Sequence, residues 1–431
     1  MLLLFSHLEA DRGFLGLARI REAPPGYRAQ WDMPSAEFTR PTRSWTRLDG
    51  VDLLRGLAIF FVLMNHVNMR LLGAKIPYTK GLPPQLVYSL VWNGQFGVQI
   101  FFCVSGFLIT STALRRWGSL SRVNVREFYQ LRFARIAPLL FLLLVVLSGL
   151  HLAHVKGFVV SEKTGGLGRA LFAALTFHVN LLEARRDYLP PSWDILWSLS
   201  VEEMFYLFFP LVCRLFRRGR FLLIPLLTFV VVGPFARSRA FNHNPVWREY
   251  SYLGGMDAIA LGYLTALFVA RHRLSRAVLW TVGSVGVATL VFSLGFSLRA
   301  YAWGLGRNGL NMTVLAVGTC MVIAVVAQAQ WQAPRVFTPI LKLGQRSYEV
   351  YLTHVFVVLG LFDLFVATGK PMAAVPVLFV AVIVFAGLLG EVVGRGYSEP
   401  MNRWLRRRWG DGPKSLGSVM ERDEASERVG G

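Results

Sequence analysis

The chain has 431 residues, of which 54% are hydrophobic and only 16% charged, and its formal net charge is +21. Soluble domains hold roughly 25% charged residues, so this composition points to a membrane protein and excludes an ordinary soluble enzyme. The positive charge forms no single basic face of the kind that grips nucleic acid. It falls in short clusters between apolar runs: Arg115-Arg116, Arg132/Arg135, Arg217-Arg218-Arg220, Arg271/Arg273/Arg276 and Arg403/Arg406-Arg407-Arg408. That is the positive-inside pattern, with the lipid bilayer and its anionic headgroups as the general partner.

Residues 1–48 mix charges, prolines and apolar residues without a clear period, which predicts a weakly structured cytoplasmic extension. The run Met1-Leu2-Leu3-Leu4-Phe5 has no basic region before it and is too short for a signal peptide; Met33 is an alternative start. Apolar segments of spanning length follow at about 52–72, 91–113, 136–155, 194–216, 221–237, 253–270, 277–297, 309–329, 347–366 and 373–394. Another stretch, 167–183, contains Arg169, His178, Asn180 and Glu183. If the N-terminus is cytoplasmic and 167–183 does not span, every arginine cluster falls inside. If it spans, the later clusters flip outside. The expectation is therefore an all-α polytopic membrane protein, a bundle of about ten transmembrane helices with both termini cytoplasmic. It would be a multi-pass protein of the cell's inner (plasma) membrane, with 167–183 interfacial or re-entrant inside a long external loop, 155–194. A transmembrane domain over 49–400 is followed by a basic, then polar tail at 401–431. The cysteines, Cys103, Cys213 and Cys320, are odd in number and lie in these spans, so they read as packing residues.

Ionisable residues inside spans are costly and are functional candidates by default. Arg55 and His66 share the first span; eleven residues at roughly 100° each put them within about 20° of one face, about 16 Å apart along the axis. The plainer alternative is a positive-inside arginine and a histidine bonded to a neighbouring helix. Glu202 and Glu203, in Trp197-Ser198-Leu199-Ser200-Val201-Glu202-Glu203, cannot face the same way, so at least one points into the bundle; Glu202 would lie about 12 Å below the outer helix end, near the level of His66. An arginine partner from another helix would also explain them. Ser105-Gly106 in the second span permits close backbone approach, which reads as helix packing as readily as chemistry. Arg132 and Arg135, in the loop that follows, are three residues apart and could clamp a phosphate or simply anchor the chain. His354 is a second intramembrane histidine, expected nearer the cytoplasmic side than His66.

Together these strings resemble the membrane-bound acyltransferase 3 family of O-acetylases. The matching elements are Leu48-Asp49-Gly50 with Arg55-x10-His66, Phe101-Phe102-Cys103-Val104-Ser105-Gly106-Phe107-Leu108-Ile109 and Arg132-x-x-Arg135-Ile136-x-Pro138. Trp197 to Glu203, Ser347-Tyr348-x-x-Tyr351-Leu352-x-His354 and Tyr397-Ser398-Glu399-Pro400 complete them. The resemblance implies an acyltransferase taking an acyl group, acetyl by default, from cytoplasmic acyl-CoA to a polysaccharide, glycolipid or sugar acceptor reached from the outer side, with no metal and no resident cofactor. It implies functional roles for the Arg55/His66 pair and for Arg132/Arg135. The chain departs from the pattern at Cys103, where leucine is commoner, and at Gly255-Met256-Asp257, which lacks an arginine two residues before the aspartate. No hydrolase-like domain follows the spans, so the acceptor is expected to be handled by the bundle or by a separate partner.

Acyl transfer from a thioester to a hydroxyl needs a base, an orienter and donor anchoring. His66 is the expected base, with Glu202 its orienting carboxylate. Arg132, Arg135 and Arg55 are expected to hold CoA phosphates, Ser105 to line the acyl-CoA path, and Glu203 and His354 are further site candidates. Whether an acyl-enzyme forms stays open at this level. The competing class is a polytopic transporter or exporter using its histidine and glutamate for coupling; absent repeat symmetry and matched broken helices argue against it.

Overall fold

The computed structural model describes residues 48–216, 221–329 and 331–410. The N-terminal extension, the Arg217-Arg218-Arg220 cluster and the polar end of the tail lie outside the described residues.

Every apolar segment expected to cross the membrane is helical: α1 (Asp49–Gly73), α2 (Gly94–Trp117), α3 (Val125–Leu152), α4 (Leu196–Leu215), α5 (Leu223–Arg237), α6 (Tyr252–Arg271), α7 (Arg276–Gly295), α8 (Leu310–Ala329), α9 (Ser347–Ala367) and α10 (Val375–Val393). A basic helix, α11 (Glu399–Arg408), ends the described chain. Among the described residues nine helices are long and apolar enough to cross a membrane, and the chain is a multi-pass, all-α membrane protein. The exception is α5: its 15 residues rise only about 22 Å, short of the roughly 30 Å hydrocarbon core.

Local chemistry sets the ends. Asn124 caps α3 by accepting the Glu127 N–H at 3.1 Å, and Ser251 caps α6 by accepting from Gly254 at 3.0 Å. Arg132 and Arg135 were both expected in a loop, but α3 begins at Val125 and carries the two of them. The 167–183 stretch breaks into two helices, Gly166–Leu175 and Val179–Arg185, each too short to span. Phe177 between them takes a φ of +56°, and its carbonyl accepts from the Tyr252 hydroxyl at 2.6 Å.

With lipid tails as apolar as leucine, helices associate through close packing. A β-carbon at Gly106 of α2 would sit 2.0 Å from the Ile259 carbonyl oxygen of α6, and one at Gly262 would sit 2.0 Å from that of Cys103. The two backbones therefore touch, which is the packing role expected for Ser105-Gly106. Gly56 of α1 and Gly344 of the short helix Thr338–Gln345 make the same reciprocal approach, through the carbonyls of Ile340 and Asp52. The three cysteines are free and buried.

Candidate functional site

A cavity of about 460 Å³ opens between α2, α3, α4, α9 and α11. Arg55, Arg116, Arg132, Arg135 and Arg406 line it, with Ser105, Glu202, Glu203, Tyr206, Phe101 and Tyr351. Arg116 closes α2, Arg132 and Arg135 lie early in α3, and Arg55 lies early in α1; the cavity therefore faces the arginine-bearing ends of these helices.

Its polar centre is a four-residue network. The Ser105 hydroxyl hydrogen-bonds to Glu202 and to Tyr206, and the Tyr206 hydroxyl donates to Glu202 Oε1 at 2.5 Å. Tyr206 is four residues after Glu202, one helical turn on, so α4 alone brings them together. The Arg132 guanidinium lies over the Tyr206 ring, 3.5 Å from its centre, and within 4.0 Å of Glu202 and 3.6 Å of Glu203. Arg135 instead reaches Glu349 at 3.1 Å, a carboxylate wholly buried on α9. Arg55 lines the cavity and pairs with Asp52 at 3.3 Å. So both glutamates of α4 and both arginines of α3 converge, as cation and counter-charge.

His66 is elsewhere. Its ring packs edge-to-face on that of His354, centroids 4.7 Å apart. Its Nδ1 lies 2.9 Å from the Val62 carbonyl oxygen, which can only accept, so the proton sits on Nδ1 and Nε2 is the basic nitrogen. His354 is held the same way, with Nδ1 2.6 Å from the Tyr351 carbonyl, and its buried Nε2 has no hydrogen-bond partner. The expected Glu202–His66 hydrogen bond is therefore absent: Glu202 is taken by Ser105, Tyr206 and Arg132, and the side chain beside His66 is His354. Depth misled the expectation for His354 as well. The helix Thr338–Gln345 precedes α9 and packs by Gly344 against Asp52 near the start of α1, so α9 begins deeper and its His354 meets His66. Tyr351 links cavity and histidines: it lines the cavity beside Phe101, and its ring lies 5.8 Å from that of His354. The Tyr351 hydroxyl is tied to Ser198 at 2.7 Å.

One cluster was not foreseen. Asp257 lacks the arginine expected two residues earlier, yet Arg237 of α5 grips it bidentately, at 2.9 and 2.7 Å. Gln99 and Thr313 donate to the same carboxylate at 3.1 and 2.7 Å. No spacing within one helix could have paired Arg237 with Asp257. Tyr206, by contrast, was readable from its Glu202+4 position.

A family model described as an acyltransferase domain matches residues 48–391. The chain belongs to this family. Its curated relatives include the peptidoglycan O-acetyltransferase OatA of Listeria monocytogenes, 25% identical over 73% of this chain and 50% of that protein. The O-acetyltransferase OatA of Staphylococcus aureus is 22% identical over 86% of this chain and 60% of its own length. A putative O-acetyltransferase of Staphylococcus aureus is 24% identical over 72% of this chain and 50% of its own. This acyltransferase-domain chain thus spans 50–60% of the length of these relatives. No solved structure matches it.

Proposed function

We propose that this chain is an O-acyltransferase of the inner membrane. It moves an acyl group, acetyl by default, from acyl-CoA at the cytoplasmic, arginine-bearing end to a hydroxyl of a carbohydrate-containing acceptor on the other side, with both termini cytoplasmic. A relative named peptidoglycan O-acetyltransferase favours a cell-wall carbohydrate as acceptor. The observation that carries the reading is the arginine-lined cavity, whose lining residue Tyr351 packs against the second of two paired histidines, each with Nδ1 on a carbonyl and Nε2 left basic.

In this reading Arg132 and Arg135 hold the donor phosphates, exchanging part of their pairing with Glu202, Glu203 and Glu349 for phosphate oxygens, with Arg55 adding charge at the same end. Ser105 lines the path. Glu202 keeps Arg132 and Tyr206 in place rather than orienting a base. The thioester passes between Phe101 and Tyr351. His66 Nε2 takes the acceptor hydroxyl proton as that oxygen forms a bond to the thioester carbonyl carbon. The carbon–sulfur bond then breaks, and the CoA thiolate takes that proton from the His66 imidazolium to leave as the thiol, which returns His66 to its neutral form. His354, also neutral, lies against His66, where an imidazolium would form.

The test is acetyl transfer by the purified full chain in detergent, with labelled acetyl-CoA and muropeptide or glycan acceptors. Acceptor-dependent label transfer is expected. No turnover of any acyl-CoA, together with substrate flux in liposomes, would establish the transporter reading instead.

A further inference from the structure

The helix α11 carries two cavity-lining residues, Asn402 and Arg406, that the reaction described above does not use. It follows α10 through a π-helical turn, Gly394–Ser398, an irregularity often found at functional sites. Three contacts fix that turn. Ser398 donates to Glu349 Oε1 at 2.9 Å, the same oxygen that accepts from the cavity arginine Arg135. The Tyr397 hydroxyl donates to the Pro138 carbonyl at 3.3 Å, and Arg346 binds both Glu391 before the turn, at 2.5 Å, and Glu399 after it. So held, α11 lies along α3 and turns Asn402 and Arg406, one helical turn apart, toward the cavity that Arg116, Arg132 and Arg135 line from the other side. Asn402 Oδ1 is buried there without a hydrogen-bond partner, a cost that a ligand donor would remove.

We propose that α11 completes the donor site: Arg406 holds a phosphate of the donor nucleotide opposite the α3 arginines, and the Asn402 amide takes a ribose hydroxyl or base edge. This rests on the acyl-CoA reading above. The ligand is a phosphate ester on a nucleoside, and the other source of phosphate at this face is a phospholipid headgroup.

The experiment titrates coenzyme A into the full chain in non-ionic detergent, with and without added phosphatidylglycerol, for wild type, Arg406→Gln, Asn402→Ala and Arg407→Gln. Arg407 is an exposed neighbour on the same helix and outside the cavity lining. Losing one charge-assisted phosphate contact is expected to weaken CoA binding about tenfold or more in Arg406→Gln. A smaller loss is expected in Asn402→Ala and none in Arg407→Gln, with melting temperatures unchanged and phosphatidylglycerol without effect on CoA affinity. Wild-type CoA affinity in Arg406→Gln and Asn402→Ala overturns the proposal. So does loss of phosphatidylglycerol retention alone, which would assign the helix to lipid. If wild type binds no CoA, the donor reading itself fails, and this assignment fails with it.

Discussion

Two arginine–carboxylate clusters lie within the bundle, and they differ in how completely they are satisfied. Around Asp257, two arginine nitrogens, Gln99 and Thr313 saturate a carboxylate that is wholly buried, and Arg237 spends its remaining donors on Gly309, Gly254 and Thr313. Around Arg132, the partners are split among Glu202, Glu203 and a ring face, and Glu203 Oε1 and Arg132 Nε have no hydrogen bond. The first cluster is closed, while the second opens on a cavity. An intramembrane charge is therefore a weaker sign of chemistry than an intramembrane charge with unspent valence beside space for a ligand.

The histidine pair is the extreme of the open kind, since its bonded nitrogens are both the non-reactive ones. His66→Ala is expected to cut acyl transfer by about 10²–10⁴-fold, the usual contribution of a general base, with insertion and melting temperature intact. Transfer at wild-type rate by the well-folded variant would remove His66 from the reaction. The closed cluster should respond the other way. Asp257→Ala leaves Arg237 as an uncompensated buried cation, and breaking such a pair costs about 3–5 kcal/mol. Its expected signature is a large drop in melting temperature, with an unchanged KM for acyl-CoA in the fraction still folded. A selective KM change would move Asp257 into the donor site. Between the two, Arg132→Gln is expected to raise the KM for acyl-CoA about tenfold while leaving stability nearly untouched, because its carboxylate partners stay at the edge of a cavity that water can enter. A change in acceptor usage alone would refute the phosphate role.

Much of this contrast could not be read along the chain. Helical periodicity and charge clusters were enough to place ten apolar segments, to keep 167–183 out of the count and to put Arg55 and His66 on one face. Those are properties of single helices. The partners of buried charges are properties of pairs of helices, and there the reading failed in instructive ways. Glu202 and His66 had similar nominal depths, yet Glu202 bonds Ser105 and Tyr206 while His66 packs on His354. His354 was placed too shallow because a short helix ahead of α9 had no strong apolar signal. Arg237 and Asp257 are 20 residues apart on different helices, so no periodicity within one helix relates them.

A third carboxylate cluster sets two acids, Glu183 and Asp194, side by side, and it gives the smallest of these effects. Glu183, in the segment between α3 and α4, is buried and accepts the Leu189 N–H at 3.1 Å. Burial, with the nearby negative charge of Asp194, pushes its carboxyl well above the usual range. An acid whose folded-state pKa is raised contributes stability that is complete below its unfolded value, about 4.5, and is lost as pH climbs through the folded value. The protein is therefore expected to lose stability as pH rises from about 4.5 toward the raised folded value, the range in which the unfolded chain has given up this proton and the fold still holds it. Glu183→Gln keeps the shape and the acceptor for Leu189 without the charge, so its melting temperature should fall less from mildly acidic to alkaline pH. Equal slopes for the two proteins would mean that Glu183 is already ionised and balanced in the fold, and the cluster would then resemble the closed arginine pair.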